Sequence, residues 1–324
     1  MAKYKENSMQ SIVELTTYPL QISEGRQETL KHTRSESTKA AYRQDLWDFE
    51  AWCDKHGFHS LPAHPNTVAE YLDARKNTLS PATLSRRVAG ISQAHKMAGL
   101  QSPCQHEEVR STMKGICRMK TTAQDQKHAI ETHVLRQMVA EQPDTVAGIR
   151  NRALLLLGFA GAFRRSELVS LDCEDIQRTV DGMRVTLRHS KTDQEGSGTE
   201  KGIPFGRSAL TCPVRTLEDW LNVSGIKEGA IFRAVTQTGK VSSTRMCDRS
   251  VALIIKQAAE SVGLNPDDYS GHSLRSGLAT SAAAAGKSER SIMNQTGHKS
   301  LTVLRRYIRQ GSLFRDNAAD GIGL

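Results

Sequence analysis

The sequence lacks the features that would assign it to a membrane, a metal cluster or an oxidising compartment. Its longest apolar stretch, Ala153 to Phe163, is too short to span a bilayer. No basic segment leads into an apolar core at the N-terminus, so neither export nor a membrane anchor is expected. The cysteines at 53, 104, 117, 173, 212 and 247 include no C-x-x-C pair, which argues against a zinc ribbon and a disulfide framework and fits a reducing cytosol. No internal repeat or low-complexity tract is present. Acidic charge is the minority sign: 44 Lys and Arg against 35 Asp and Glu give a formal net charge of +9. That excess favours a polyanionic partner, nucleic acid first, because cationic side chains that neutralise phosphates release condensed counterions. With 38% hydrophobic and 24% charged residues a wholly disordered chain is excluded, and 324 residues suit two compact domains.

Residues 1–35 are polar and without sustained period, and read as a loose arm. From Ser37 onward, Tyr42, Leu46, Phe49 and Trp52 recur at helical spacing, with Ser37 or Thr38 as the expected N-cap and Gly57 beyond the end. Further helices are expected at about 67–76, from Ser80 with Pro81 in the first turn, and at about 107–118. Between Arg75 and Lys120 nine basic residues stand against Glu107 and Glu108. Arg75, Lys76, Arg86, Arg87 and Lys96 are the candidate DNA contacts in this region, on helices that could lie in a major groove; the alternative is a solvated helix face. The polar stretch at 121–130 reads as a linker. Beyond it, Thr132 begins a helix, and the apolar helix at about 147–160 is the expected core of the second domain. An alternating strand from Met183 and a second at Ile203–Phe205 predict a hairpin around a polar, Gly-containing loop, and the remainder reads as mostly helical with one break near 232–240.

Four local patterns carry chemistry: GAFRRSELVSL at 161–171, HSKT at 189–192, GHSLRSG at 271–277 and GHKSLTVLRRYI at 297–308. In order and separation they resemble the tyrosine site-specific recombinase, or phage integrase, family, from about residue 37 to the C-terminus. The resemblance implies a mainly α protein. A helical SAM-like core-binding DNA-binding domain at 36–120 would precede an α-rich catalytic domain at 131–324 with a small antiparallel β-sheet and a tail at 309–324.

The resemblance also implies roles. Cleaving a phosphodiester by transesterification needs a nucleophile, stabilisation of a phosphorane-like dianion and a proton for the departing 5′-oxygen. Arg164 and Arg275 become the phosphate clamp, since a guanidinium fork matches two non-bridging oxygens and stays charged. Arg164 is preferred to Arg165 because Glu167, the supporting carboxylate, sits three residues on. Lys191, at the start of the hairpin loop, takes the place of the family's lysine general acid. His272, one helical turn from Arg275, assists as general base or proton relay. His298 follows Gly297, expected as a left-handed helix cap; the family carries His or Trp there. Ser300 should cap the next helix, with Leu301, Leu304 and Ile308 as its packed face and Tyr307, nine residues after His298, as nucleophile.

No metal, cofactor or ATP is expected, because no carboxylate cluster suggests an ion and a phosphotyrosyl link conserves the energy of the broken bond. The expected partner is double-stranded DNA carrying specific recombination sites, gripped between the two domains. A homotetramer on two sites would be assembled by the C-terminal tail with its Leu313 and Phe314. The expected location is the cytoplasm of a bacterium, in association with its nucleoid and with a phage or plasmid origin open. Two other readings stay open: a type IB topoisomerase-like nicking and sealing enzyme, and a non-catalytic DNA-binding regulator.

Overall fold

A computed structural model describes residues 35–120, 127–188, 198–298 and 300–311, without the side chains of 303 and 309–311. The chain divides into two compact units, Met1–Asp125 and Gln126–Leu324. The expected arm at 1–35 lies outside the described residues except for Ser35, as do most of the 121–130 linker, the hairpin loop and the tail from Ser312.

The first unit is helical: α1 (Glu36–His56), α2 (Pro65–Arg75), α3 (Pro81–Met97) and α4 (Glu107–Met119). Helix α1 starts earlier than the sequence suggested. Ser35, not Ser37 or Thr38, is the N-cap, its hydroxyl accepting from the Thr38 backbone N–H at 3.3 Å. Gly57 closes the helix at φ 72°, a left-handed conformation that glycine adopts without strain. Helices α1 and α3 pack together, as do α2 and α4. Phe49, Trp52, Tyr71, Leu72, Leu84 and Ile91 form the core.

The second unit opens with α5 (Thr132–Ala140), α6 (Val146–Ala160) and the short α7 (Arg165–Ser170). Strands β1 (Ile176–Thr179), β2 (Gly182–Leu187) and β3 (Thr199–Pro204) follow as an antiparallel sheet in that order, with Val185 opposite Lys201. The third strand, β1, had no clear signal: its residues Ile-Gln-Arg-Thr bury little on either face. After α8 (Pro213–Ser224), the expected break holds a two-stranded hairpin, β4 (Arg233–Val235) and β5 (Val241–Arg245). Four helices complete the unit: α9 (Asp248–Ser261), α10 (Ser273–Ala284), α11 (Glu289–Thr296) and α12 (Leu301–Gly311).

Helix α6 is apolar nearly all round and forms the axis of this unit, with α8 and α10 packed on it. At Gly277 of α10 a Cβ would lie 2.0 Å from the Ile130 carbonyl oxygen, so glycine lets the incoming chain press directly on the helix. Helix α12 packs on α10: Leu304 is fully buried with Ala279, Ala283 and Ile292, and Ile308 rests beside them. Leu301, expected on this face, is instead 42% exposed, because it opens the helix before the packed surface begins. No helix among the described residues is long and apolar enough to cross a membrane.

Candidate active site

The site grows out of the C-terminal end of α6. Ala162 stands in the left-handed region at φ 47°, fully buried, and redirects the chain so that Phe163 enters the core. Arg164 then becomes the N-cap of α7. Glu167, at the third position of α7, closes a capping box. Its carboxylate accepts from the Arg164 backbone N–H at 2.9 Å and also pairs with the Arg164 guanidinium. With Glu167 only 4% exposed, one buried carboxylate fixes both the main chain and the side chain of Arg164. The neighbouring arginine diverges: Arg165 runs across Gly271, where a Cβ would lie 1.9 Å from its Cδ, and ends 3.7 Å from Asp248.

His272 caps α10, and Arg275 sits in its first turn. Arg275 is 1% exposed. Its Nη1 donates to the Ala162 carbonyl at 2.7 Å, whereas its Nη2 is buried with no partner among the described residues. A buried cationic donor left without an acceptor is costly, and an anionic oxygen is the acceptor that would satisfy it best. Burial first, and then Arg164, lower the Arg275 guanidinium to a pKa of about 10.

Tyr307 comes from α12, half-buried, and reaches the same place. Its hydroxyl lies 2.9 Å from His272 Nε2. Burial, and then the positive charge of Arg275 and Arg164, hold His272 below the usual histidine range, so its neutral ring can take the phenol proton. The His298 ring centroid lies 5.9 Å from that of Tyr307. Gly297 is left-handed at φ 64°, as its place after α11 predicted. His298 is oriented by Thr296, whose Oγ1 lies 2.7 Å both from His298 Nδ1 and from the Ile292 carbonyl. The hydroxyl proton goes to that carbonyl, so Nδ1 of His298 must donate and Nε2 is left for a ligand. Burial first, and then the positive charge of Arg275 and Arg164, with His272 and Lys201 adding to it whenever they are protonated, push His298 down to about 4.

Arg164, Glu167, His272, Arg275, His298 and Tyr307 are therefore gathered within one chain. Lys191 lies outside the described residues. Two side chains that sequence reasoning passed over also belong here: Lys201, buried on β3 at 4% exposure, and Gln295 on the last turn of α11. A signal for Lys201 was present, since it falls in phase with Ile203 on the inward face of an alternating strand. Among the described residues no three His, Cys, Asp or Glu side chains are grouped to hold a metal ion.

In the first unit the candidate DNA contacts are unequal. Arg86 chelates the buried Asp45 through two 2.9 Å hydrogen bonds while its side chain remains 49% exposed. Arg87, only 11% exposed, is bound to Asp48 and the Tyr71 hydroxyl. Arg75 also reaches Asp48, at 3.2 Å, and Lys76 pairs with Asp73 at 2.6 Å. Lys96 is exposed at the end of α3.

A largely helical fold that assembles a tyrosine, two histidines and two arginines defines a class of protein equipped to hold a phosphodiester against a phenol. The chain belongs to the Phage integrase family, whose model matches residues 128–312. The model for the Phage integrase N-terminal SAM-like domain matches residues 27–100. It is a tyrosine recombinase, an enzyme of site-specific DNA recombination. It is 41% identical over 295 residues to an integrase/recombinase XerD homolog of Selenomonas ruminantium, covering 89% of this chain and 86% of the relative. It is 27% identical over 279 residues to recombinase Cre of Escherichia phage P1, covering 80% of each. Among solved structures it resembles a lambda integrase dimer bound to a COC′ core site, with a TM-score of 0.57 at 16% identity over 93% of this chain and 97% of that one. The similarity to that structure concerns the fold.

Proposed function

We propose that this chain cleaves and rejoins duplex DNA through a 3′-phosphotyrosyl link on Tyr307, without metal or ATP. The observation that carries the reading is the 2.9 Å hydrogen bond between the Tyr307 hydroxyl and His272 Nε2. As the Tyr307 oxygen attacks phosphorus, its proton passes to His272. Arg164 and Arg275 hold the non-bridging oxygens, the latter through the Nη2 that has no partner among the described residues. Lys191 protonates the 5′-oxygen as the P–O5′ bond breaks. His298 reaches the phosphate through Nε2, and Glu167 keeps Arg164 in place. A 5′-hydroxyl from a second strand reverses each step, so bond energy is conserved and two rounds of exchange proceed through a Holliday junction.

Under the same reading, residues 36–120 and 131–324 act as core-binding and catalytic domains joined by the linker at 121–130. Four protomers assemble on two sites in a bacterial cytoplasm, at the nucleoid. An apolar groove of ≈ 410 Å³ lined by Phe159, Leu278, Ala282, Ala285 and Ile292 supports a docking place for Leu313 and Phe314 of a neighbouring copy.

The test uses nicked duplexes of randomised sequence, which trap a covalent adduct because the short 5′-hydroxyl fragment diffuses away. Wild-type protein is expected to capture a defined sequence, and Tyr307→Phe to bind that sequence without forming adduct. Adduct formation by Tyr307→Phe overturns the assignment. Relaxation of any supercoiled plasmid regardless of sequence points instead to a topoisomerase-like activity.

A further inference from the structure

Three successive carbonyls at the end of α6 are each taken by a side chain from a different element. Gln295 Nε2 of α11 donates to Ala160 O at 2.7 Å, Lys201 Nζ of β3 to Gly161 O at 2.6 Å, and Arg275 Nη1 of α10 to Ala162 O at 2.7 Å. A helix leaves its last carbonyls without intrahelical partners, so they are the natural acceptors for such donors. Two of these side chains also tie α11 to β3 through main-chain carbonyls, one of Gln295 itself and one of Gly202 next to Lys201. Lys201 Nζ donates to the Gln295 carbonyl at 2.7 Å, and Gln295 Nε2 to the Gly202 carbonyl at 3.2 Å.

The positions joined in this way are the roots of the site. Gly161 lies three residues before Arg164, Gln295 three before His298, and β3 is the returning strand of the hairpin that carries Lys191. We propose that Lys201 and Gln295 are positioning residues: together they latch the Arg164 turn, the foot of the Lys191 hairpin and the His298 segment into one geometry. The proposal rests on the recombinase reading of the site. Packing alone gives no reason for a lysine here, because an apolar side chain would fill the same inward position of β3 without burying an ammonium. Both directed donations of Lys201 end on main-chain carbonyls, and its Nζ lies 4.9 Å from the Phe163 ring centroid, so it is turned inward. Burial, the largest influence, and the positive charge of Arg275 and Arg164 lower it to about 7, against the opposing pull of the Glu167 carboxylate.

Two measurements test the latch. In single-turnover cleavage of nicked duplexes selected on wild-type protein, Lys201→Met and Gln295→Met should each slow adduct formation by about 100-fold, as misplacement of a reacting group by an ångström does, with duplex affinity unchanged. A 5′-thiol leaving group needs no general acid, so it should rescue Lys191→Ala and leave Lys201→Met slow. Rescue of Lys201→Met by the 5′-sulfur duplex would make Lys201 the acid and overturn the proposal, as would wild-type rates in both variants.

The second measurement needs no DNA. Folded Lys201 releases its proton at about 7, against an ordinary 10.5 in the unfolded chain, so folding is penalised below that window and the penalty lifts as pH rises through it. Relative to Lys201→Met, the wild-type unfolding constant should fall by up to about tenfold per pH unit between about pH 7 and 10. Equal slopes would mean that Lys201 is not buried as a latch. If wild-type protein captures no duplex at all, the recombinase reading fails, whereas the pH slope still decides where Lys201 sits. Gln295→Met keeps the lysine and decides the kinetic question should Lys201→Met not fold.

Discussion

His298 illustrates how much of the site's behaviour depends on single residues. Its Nδ1 is committed to Thr296 and its ring is depressed to about 4, so in the free protein Nε2 is a lone pair facing a cationic site. Under the proposed reading, a phosphate entering that site would offset the cations and let Nε2 take a proton and donate. The same depression has a consequence for stability. The unfolded histidine binds its proton near 6.5, before the folded one, so the contribution is complete above 6.5 and is lost as pH falls toward 4. Urea denaturation of wild type and His298→Gln should therefore show wild type losing more between about pH 7 and pH 5, on the order of 1 kcal/mol after allowance for partial solvent screening. Parallel losses would contradict the depressed histidine. Arg275 complements His298: it is charged, buried and half-satisfied among the described residues, which suits a group waiting for an anionic oxygen.

On the scale of elements, α3 shows that a basic helix is not uniformly a basic surface. Arg87 is held by Asp48 and Tyr71 beneath the surface. Further along the helix, Ser92 accepts a hydrogen bond from the Ser102 hydroxyl at 2.8 Å, and Lys96, one turn beyond it, is exposed. The two basic side chains should therefore respond differently to truncation. Lys96→Ala should leave folding unchanged and lower the slope of log affinity against log salt by about 0.9, the signature of one lost phosphate contact. Arg87→Ala should instead destabilise the first unit by roughly 2–3 kcal/mol, because Asp48 and the Tyr71 hydroxyl lose a charged donor. Salt-titrated duplex binding and urea melts of both variants separate the two effects. An unchanged salt slope for Lys96→Ala would remove it from the DNA surface. The existence of these helices was legible from apolar spacing and caps, but the partners of their arginines were not, since Asp45 and Asp48 lie about forty residues away in sequence on α1.

For the whole molecule, the proposed assembly depends on the tail. Truncation before Ser312 should weaken synapsis of two sites in a gel-shift assay while sparing the binding of one, and recombination equal to the full chain would count against docking by Leu313 and Phe314. The net charge of +9 serves attraction to DNA over distance, whereas choice of partner copy would fall to an apolar groove on the second unit.

By itself the sequence determined the helical class and the left-handed glycine after α11, and its resemblance to the recombinase family pointed to Arg164 over its neighbour and to the chemical set that includes Tyr307. The first two are written in local spacing, in apolar periodicity and a glycine at a helix end, whereas the others rest on matching the family's pattern, in which a carboxylate follows the arginine by three residues. Only the tertiary structure decided which groups meet. That Tyr307 rests on His272 of its own chain, that Arg275 keeps one nitrogen without a partner among the described residues, and that Lys201 and Gln295 close over the end of α6 are matters of contact between elements far apart in sequence. Their physical cause is the packing of α12 on α10 and of α10 on α6, which brings distant polar groups into one desolvated space where each must find a partner or wait for a ligand.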